Sequence, residues 1–250
     1  MELEKTTFEV LGVVIQEPIT AVTDLLVSAV CLYAFAALMP TTRSLKFLKY
    51  YFLAMALATA YGGIFGHAFL GYVGFGWKIP GWLISMVSIA LLERSAIAHA
   101  STLLDNKTSV FFTYLNSIEL IVLNVIVLST LNFFYVEAHA AYGLLIVVFS
   151  FEIYIFRITR DESSSRFLCA VGISGLAALV HLTGFSLHVW FNHMDLSHVL
   201  MAASAYVFFL GGKKLQDTPI PAKKPVRVKT ICAPIPIGTM DISNMKEPRP

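Results

Sequence analysis

The side chains best suited to chemistry in this sequence are histidines and aspartates near the ends of apolar stretches. The eleven residues 188–198 contain three histidines, one aspartate and one asparagine. Imidazole nitrogens and carboxylate oxygens are ligands that zinc and similar divalent ions prefer. The pattern therefore predicts a metal site, for which the candidate residues are His67, His193, His198, Asp24 and Asp195.

These residues lie in a chain with the composition of an integral membrane protein. Of its 250 residues, 57% are hydrophobic and only 14% are charged, whereas soluble domains carry about 25% charged residues. The formal net charge is +2, which by itself indicates little. We expect membrane lipids around the protein, and no nucleic-acid partner.

The apolar residues fall into seven stretches. A helix needs roughly 20 residues to cross about 30 Å of hydrocarbon, and the stretches are close to this length or longer. We therefore predict an all-α fold, a bundle of seven transmembrane helices over residues 1–214. The predicted spans are residues 19–39, 47–73, 79–101, 108–134, 138–158, 167–191 and 195–212.

The basic residues between the spans predict an orientation. The loops after spans two, four and six hold only Lys78. Because cytoplasmic loops carry an excess of lysine and arginine, the N-terminus is predicted outside and the C-terminus in the cytoplasm. The loops after spans one, three and five hold Arg43, Lys46, Lys49, Lys107, Arg160 and Arg166.

The last part of the chain has a different composition. Residues 215–250 are rich in proline and lysine and show little apolar periodicity, so they predict a flexible, basic cytoplasmic tail. The basic run 213–229 could lie on anionic lipid headgroups or bind a cytoplasmic partner. A stop-transfer anchor followed by disorder is the simpler interpretation.

The predicted topology places the candidate ligands in the outer part of the membrane. His67 lies near the outer end of the second span, and His193 and His198 begin the seventh span at the same surface. Asp24 lies on the first span and shares a helix face with Glu17. Ionisable side chains are costly within a bilayer, so this joint placement favours a functional site.

Structural roles are the alternatives for individual residues. His67 lies among glycines, where a hydrogen-bonded packing role is common. Asn192 or Asp195 could cap the N-terminus of the last helix. Glu17 could complement the positive end of the first helix.

A second set of ionisable residues lies deeper in the predicted spans. Opposite charges at similar depth predict interhelical ion pairs and hydrogen bonds that fix the packing. Glu119, near mid-membrane, is the best candidate in this set for a proton or ion path. The set consists of Glu93, Arg94, Glu119, Glu152 and Arg157.

The arrangement of spans and histidines resembles the CREST superfamily, which includes the alkaline ceramidases and the progestin and adipoQ receptors. The shared features are seven spans, an outside N-terminus, a histidine late on span two and a histidine pair that opens span seven. The stretch 17–24 is also similar to the acidic, Thr/Asn-rich opening of the ceramidases' first span. The resemblance covers roughly residues 15–212, and it implies zinc bound by His67 and His198.

The sequence departs from that family at three positions. The family's span-seven histidines are separated by three residues, whereas the histidine before His198 is here His193. Gly63 replaces the serine that the family places four residues before the span-two histidine. Residues 78–88, the outer part of the third span, contain serines and no aspartate.

The first functional hypothesis is a zinc-dependent membrane hydrolase that acts on a lipid amide or ester. Zinc would be bound by His67, His198 and a third residue, either His193 or Asp195. The general base would be Asp195 or Asp24, and the surrounding apolar helices would accept an acyl chain.

Two other hypotheses stand beside the hydrolase. The main alternative is a non-catalytic receptor or a structural subunit of a membrane complex, in which the histidines and acids form a satisfied polar network. The weaker one is a proton or ion carrier that uses Glu119 and Glu152.

Overall fold

A computed structural model describes residues 6–216 as a bundle of helices that follows a short β-hairpin. The helical character predicted from the sequence is confirmed. Most of the predicted tail, residues 215–250, lies outside the described residues. The elements are β1 Thr7–Val10, β2 Val13–Gln16, α1 Pro18–Ala37, α2 Arg43–Tyr61, α3 Leu70–Val73, α4 Ile79–Ala100, α5 Asn106–Thr130, α6 Phe134–Tyr142, α7 Phe149–Thr159, α8 Glu162–Thr183 and α9 His193–Gly212.

The helical segments have the size and composition of membrane-crossing helices. Within residues 6–216, six of them are long and apolar enough to span a bilayer. The chain therefore has the helices of a multi-pass membrane protein. The six segments are Pro18–Ala37, Phe75–Ala100, Asn106–Thr130, Phe134–Thr159, Glu162–Thr183 and His193–Gly212.

Helix α2 corresponds to the second predicted span but is not among the six. Arg43, Lys46 and Lys49 occupy its first two turns. Beyond Tyr61 it continues as a π-helical segment, Gly62–Ala68, that is rich in glycine. The uninterrupted apolar part of this helix is therefore shorter than in its neighbours.

The structure changes the limits of the sixth predicted span. Helix α8 ends at Thr183, because Gly184 adopts a left-handed backbone conformation with φ of 67°. His188, which we predicted near the end of this helix, lies instead in the following loop. There its backbone pairs with that of Phe191.

Capping side chains begin four of the helices. Thr42, Asp105, Asp161 and Asn192 each accept a hydrogen bond from a backbone N–H of the first turn of α2, α5, α8 and α9. These N–H groups have no acceptor within the helix, so the caps stabilise its start. The hydroxyl and backbone N–H of Thr108 donate to the Asp105 carboxylate and hold its pKa below the usual value.

The apolar core lies among α1, α2, α4, α7, α8 and α9. Leu48, Phe52, Phe167 and Phe208 are almost completely buried there. Helix α5 packs against α4 and α6 and leaves most of its apolar side chains exposed, as expected of a helix that faces lipid.

The described part of the chain begins with a β-hairpin that was not predicted from the sequence. Strands β1 and β2 are antiparallel, and residues Leu11 and Gly12 between them have φ of 51° and 80°. Positive φ at both central residues is typical of the tight turns that join hairpin strands. The hairpin leads directly into Glu17 and α1, so it fixes where the first helix starts.

Helix α1 packs unusually close to the π-helical segment at Gly63. A Cβ atom placed on Gly63 would lie 2.9 Å from Cβ of Asp24 and 3.0 Å from the carbonyl oxygen of Ala21. A Cβ atom on Gly66, in the same segment, would meet nothing within 4 Å. Glycine at position 63 is therefore what allows the two helices to approach each other here.

We predict that Gly63→Ala destabilises the protein, because either helix must shift to accommodate the methyl group. The expected loss is about 1–3 kcal/mol, typical of overpacking. Gly66→Ala is the matched control, and its expected effect is neutral or a gain of up to about 1 kcal/mol from helix propensity. Thermal unfolding in detergent micelles measures both, and equal midpoints for the two variants would contradict the close approach at Gly63.

Candidate metal-binding site

Helix α1 supplies buried polar side chains on the face that packs against α2 and α9. The exposed fractions of Thr20, Thr23 and Asp24 are 1%, 6% and 6%. Pro18 lies in the first turn, where its missing N–H is not needed. Glu17 precedes the helix in a left-handed conformation with φ of 44°, which directs the chain from the hairpin into α1.

His67 lies near the end of the π-helical segment and contacts two acidic residues of the α1 region. Its Nδ1 atom lies 3.0 Å from Oε2 of Glu17, and its Nε2 atom lies 3.8 Å from Oδ2 of Asp24. A carboxylate only accepts hydrogen bonds, so Nδ1 carries the proton that Glu17 accepts. In the neutral ring, Nε2 is then an unprotonated nitrogen that faces Asp24.

His198, on α9, approaches the same carboxylate. Its Nε2 atom lies 3.5 Å from Oδ1 of Asp24, and its Nδ1 atom lies 3.2 Å from the Thr23 hydroxyl oxygen. That hydroxyl donates its own proton to the carbonyl of Thr20 at 3.0 Å. The oxygen of Thr23 is therefore the acceptor for Nδ1–H, and Nε2 of His198 is also an unprotonated nitrogen facing Asp24.

Asp24, His67 and His198, with Glu17 and Thr23 behind the two rings, form what we call the Asp24 cluster. Two imidazole lone pairs and a carboxylate face one another in it. These groups repel unless a proton or a metal cation lies between them. Two imidazoles and a carboxylate are a donor set that suits zinc.

The distances in the Asp24 cluster are close to those around a bound metal. Tetrahedral bonds of about 2.0–2.1 Å place ligand atoms roughly 3.3 Å apart, compared with 3.5 Å and 3.8 Å for the two Nε2–carboxylate contacts. The two ring centroids are 6.4 Å apart. Within residues 6–216, only Glu93, Glu119 and His139 hold three ligand atoms all within 4.8 Å of one another, so the Asp24 cluster must tighten to bind one ion.

Asp195 lies beside the cluster but is bound into the first turn of α9. Its Oδ2 atom accepts the backbone N–H of Asn192 at 2.7 Å, while the Asn192 side chain accepts the N–H of Met194 at 2.8 Å and that of Asp195 at 3.4 Å. This reciprocal pair is a capping box. The Oδ1 atom accepts the Thr20 hydroxyl at 2.7 Å. Asp195 therefore joins α9 to α1 and positions His198 one turn later.

The structure does not bring His193 to the Asp24 cluster. Its ring packs against His181, with centroids 5.6 Å apart, and its backbone N–H donates to the Ser186 hydroxyl. His181 in turn lies 2.9 Å from Glu137. The five residues from His193 to His198 rotate a helix by about 140° beyond one full turn, so the two rings have different neighbours.

Two residues of the cluster were not among the predicted site residues. The seven-residue spacing of Glu17 and Asp24 predicts one shared helix face, and this was a signal for Glu17. The structure places Glu17 directly before the helix. Thr23 gave no such signal, because its role depends on where α9 packs. Asp24, His67 and His198 were among the residues predicted from the sequence, and the structure brings them together.

A large cavity extends from the Asp24 cluster into the bundle. Its volume is about 870 Å³, and Asp24, His67 and His198 line part of it. Most of the other lining residues are apolar, among them Val27, Met55, Ile89, Leu144, Met201 and Ala205. The arrangement therefore places a candidate ion site beside a space that can hold an apolar group.

Comparison with known proteins gives a family and no function. No curated protein and no solved structure matches the chain. The model of a family described as "Family of unknown function (DUF6962)" matches residues 19–217. This region begins just after Glu17 and includes Asp24, His67 and His198. Because the match spans most of the 250 residues, the chain belongs to this family of unknown function, DUF6962.

Proposed function

We propose that the protein is an integral membrane, zinc-dependent hydrolase of a lipid amide or ester. The observation that carries the proposal is the Asp24 cluster, in which the unprotonated Nε2 atoms of His67 and His198 both face one buried carboxylate. A divalent cation satisfies all three groups at once. The resemblance of these histidines to those of the CREST superfamily supports the same assignment.

Within this proposal, zinc is held by His67, His198 and Asp24. Asp24 takes the place of the third ligand, for which His193 and Asp195 were the two candidates. The ring of His193 packs against His181, and the Asp195 carboxylate binds Thr20 and the first turn of α9. Glu17 and Thr23 accept the Nδ1 protons of the two rings and so orient them. Such partners fix the tautomer of a ligating histidine and raise its basicity.

The chain's own residues also account for the proton transfers of a hydrolysis. When bound, zinc would polarise the substrate carbonyl and lower the pKa of a water molecule. Asp24 offers one oxygen to each imidazole, so its remaining lone pairs can accept a proton from the attacking water. The same carboxyl group can return this proton to the leaving amine or alcohol. Asp195 positions α9 in this scheme, because its oxygens bind Thr20 and the first turn of α9. Asp24 is the carboxylate that faces both imidazole Nε2 atoms.

The cavity supports a substrate with an acyl chain. Its volume of about 870 Å³ lies within the range of roughly 300–1,000 Å³ that is typical of small-molecule sites. The apolar lining favours a hydrocarbon chain, and the scissile group would then lie at the polar end, next to Asp24.

We also propose that α2 crosses the membrane as a seventh span, with the N-terminus outside and the C-terminus in the cytoplasm. Helix α2 packs between α1 and α4, and with its π-helical continuation it runs from residue 43 to residue 68. The excess of basic residues in alternate loops supports the orientation. On this topology the Asp24 cluster lies near the outer surface, and the basic tail is a candidate for contact with lipid headgroups or a cytoplasmic partner.

We predict that His67→Ala/His198→Ala removes one zinc ion per chain and lowers lipid hydrolysis at least 100-fold. Asp24→Asn removes both a ligand and the base, and we expect it to lower the turnover rate as much. General bases typically contribute a factor of 10² to 10⁴ to the rate. His193→Ala is the control and retains both properties. The measurements are elemental analysis of the protein in lipid nanodiscs, and fatty-acid release from a panel of N-acyl and O-acyl lipids.

Two results would contradict the hydrolase. The first is equal zinc content in wild-type protein and in the His67→Ala/His198→Ala variant. The second is zinc-loaded wild-type protein that releases no fatty acid from any lipid of the panel. Zinc binding without hydrolysis would favour the receptor or structural-subunit alternative.

The contact between Glu17 and His67 predicts a specific effect on metal affinity. Glu17→Gln removes the charge that accepts the Nδ1 proton, and we expect zinc to bind roughly 10- to 100-fold more weakly. Glu9→Gln is the matched control, because Glu9 lies exposed in the hairpin that directly precedes Glu17. Competition with a chelator of known affinity measures both variants, and equal affinities would remove Glu17 from the site.

The proposed topology predicts which positions react with a membrane-impermeant maleimide. In a variant without the native cysteines, Leu11→Cys and Val189→Cys should react from outside intact cells. Lys107→Cys and Lys213→Cys should react only after permeabilisation. If α2 does not cross the membrane, Leu11→Cys and Lys213→Cys would react from the same side.

A further inference from the structure

A second cluster of ionisable side chains lies where α4, α5 and α6 meet. Glu93, Glu119 and His139 each offer a ligand atom, and these atoms all lie within 4.8 Å of one another. Glu93 and His139 are buried, with exposed fractions of 0% and 1%. None of these residues belongs to the Asp24 cluster, and the proposed hydrolysis uses none of them.

One ring nitrogen of His139 can act as a metal ligand when the ring is neutral. Its Nε2 atom lies 3.1 Å from the backbone carbonyl of Met86, and a carbonyl only accepts, so Nε2 carries a proton. In the neutral ring the Nδ1 atom then carries a lone pair and lies 3.0 Å from Oε1 of Glu119. This contact is favourable only when a proton or a metal ion lies between the two atoms. A backbone carbonyl that fixes the tautomer in this way is common behind metal-ligating histidines.

Glu93 has an oxygen with no partner in the described chain. Its Oε2 atom accepts the Asn116 amide at 2.8 Å, whereas Oε1 is buried without a hydrogen bond. Arg94 donates to the Asn116 carbonyl oxygen at 2.5 Å and to the Ser117 hydroxyl, which orients the amide towards Glu93. Within residues 6–216, neither Glu93 nor Glu119 has a lysine or arginine nitrogen at ion-pair distance.

The space beside the unpartnered oxygen depends on Gly143. A second π-helical segment, Gly143–Val148, joins α6 to α7. A Cβ atom on Gly143 would lie 2.4 Å from Oε1 of Glu93, so any larger residue would compete for this space. His139 also lines the large cavity, which gives small solutes a route to the cluster.

We propose that Glu93, Glu119 and His139 bind a second divalent metal ion, which holds α4, α5 and α6 together inside the bundle. Two carboxylates balance the charge of one divalent cation, and buried charge needs such compensation in an apolar bundle. The ion satisfies the unpartnered oxygen of Glu93 and takes the place of a proton between Nδ1 of His139 and Glu119. Carboxylate and imidazole ligands select ions such as Zn²⁺ or Mn²⁺.

The test counts zinc ions bound to full-length protein in nanodiscs after chelator treatment and reloading with Zn²⁺ alone. In the His67→Ala/His198→Ala background, where the first site is absent, we expect one ion per chain. Adding Glu93→Gln and Glu119→Gln should reduce this to none. Adding Glu152→Gln should leave one ion, because Glu152 is equally buried and also has an unpartnered oxygen but lies outside the cluster.

The ion count separates the two proposals. One ion in wild-type protein and none in the background would overturn the second site and leave the first intact. One ion in both proteins, lost with Glu93→Gln and Glu119→Gln, would support the second site and overturn the first. If the His67→Ala/His198→Ala variant still binds one ion after both glutamine substitutions, the second site is overturned.

X-ray absorption of zinc bound to the background variant tests the site without further substitution. We expect a coordination sphere of oxygen and nitrogen atoms with a single imidazole. Two or more imidazoles, or a sulfur ligand, would overturn the assignment. Zinc should also raise the unfolding temperature of this variant, because the proposed ion connects three helices.

Discussion

A carboxylate inside an apolar bundle needs a partner inside the bundle, and in this protein the partner is usually histidine. Lysine and arginine lie mostly near the helix ends, whereas acids and imidazoles meet between helices. Because an imidazole can offer either a proton or a lone pair, such a pair can be completed by a proton or by a metal ion. The contacts are Glu17 and Asp24 with His67, Asp24 with His198, Glu119 with His139, Glu137 with His181, and Glu152 and Asp161 with His99.

The sequence was sufficient to predict the helices and two of the central histidines, but not the geometry between them. Long apolar stretches predict helices wherever they occur, and His67 and His198 could be placed at one depth by counting residues. The third ligand could not be assigned in this way, because it depends on rotation about α9 and on how closely α1 approaches. His193 lies on a different side of α9, while Asp195 is used as a capping residue. Neither the hairpin nor the π-helical segments had a clear signal in the apolar pattern.

The two ion sites that we propose share one structural device. Each lies beside a π-helical segment that begins with glycine, Gly62–Ala68 for the Asp24 cluster and Gly143–Val148 for the cluster of Glu93. A π-helical turn contains an additional residue, which shifts the side chains that follow it around the helix axis. Glycine at positions 63 and 143 allows an acidic residue of a neighbouring helix to come into contact with the turn. Such local irregularities are frequent at functional sites.

The β-hairpin links the first described residues of the chain to the orientation of His67. Its second strand ends at Gln16, directly before Glu17, and the Tyr72 hydroxyl accepts the backbone N–H of Val14. A two-stranded hairpin is only marginally stable alone. Because the hairpin precedes Glu17, its unfolding would loosen the contact between Glu17 and the His67 imidazole. By thermodynamic reciprocity, an ion bound at Asp24 and an ordered hairpin stabilise each other by the same free energy. An ion in the proposed site would therefore slow hydrogen exchange in the β-hairpin, although the hairpin contributes no metal ligand.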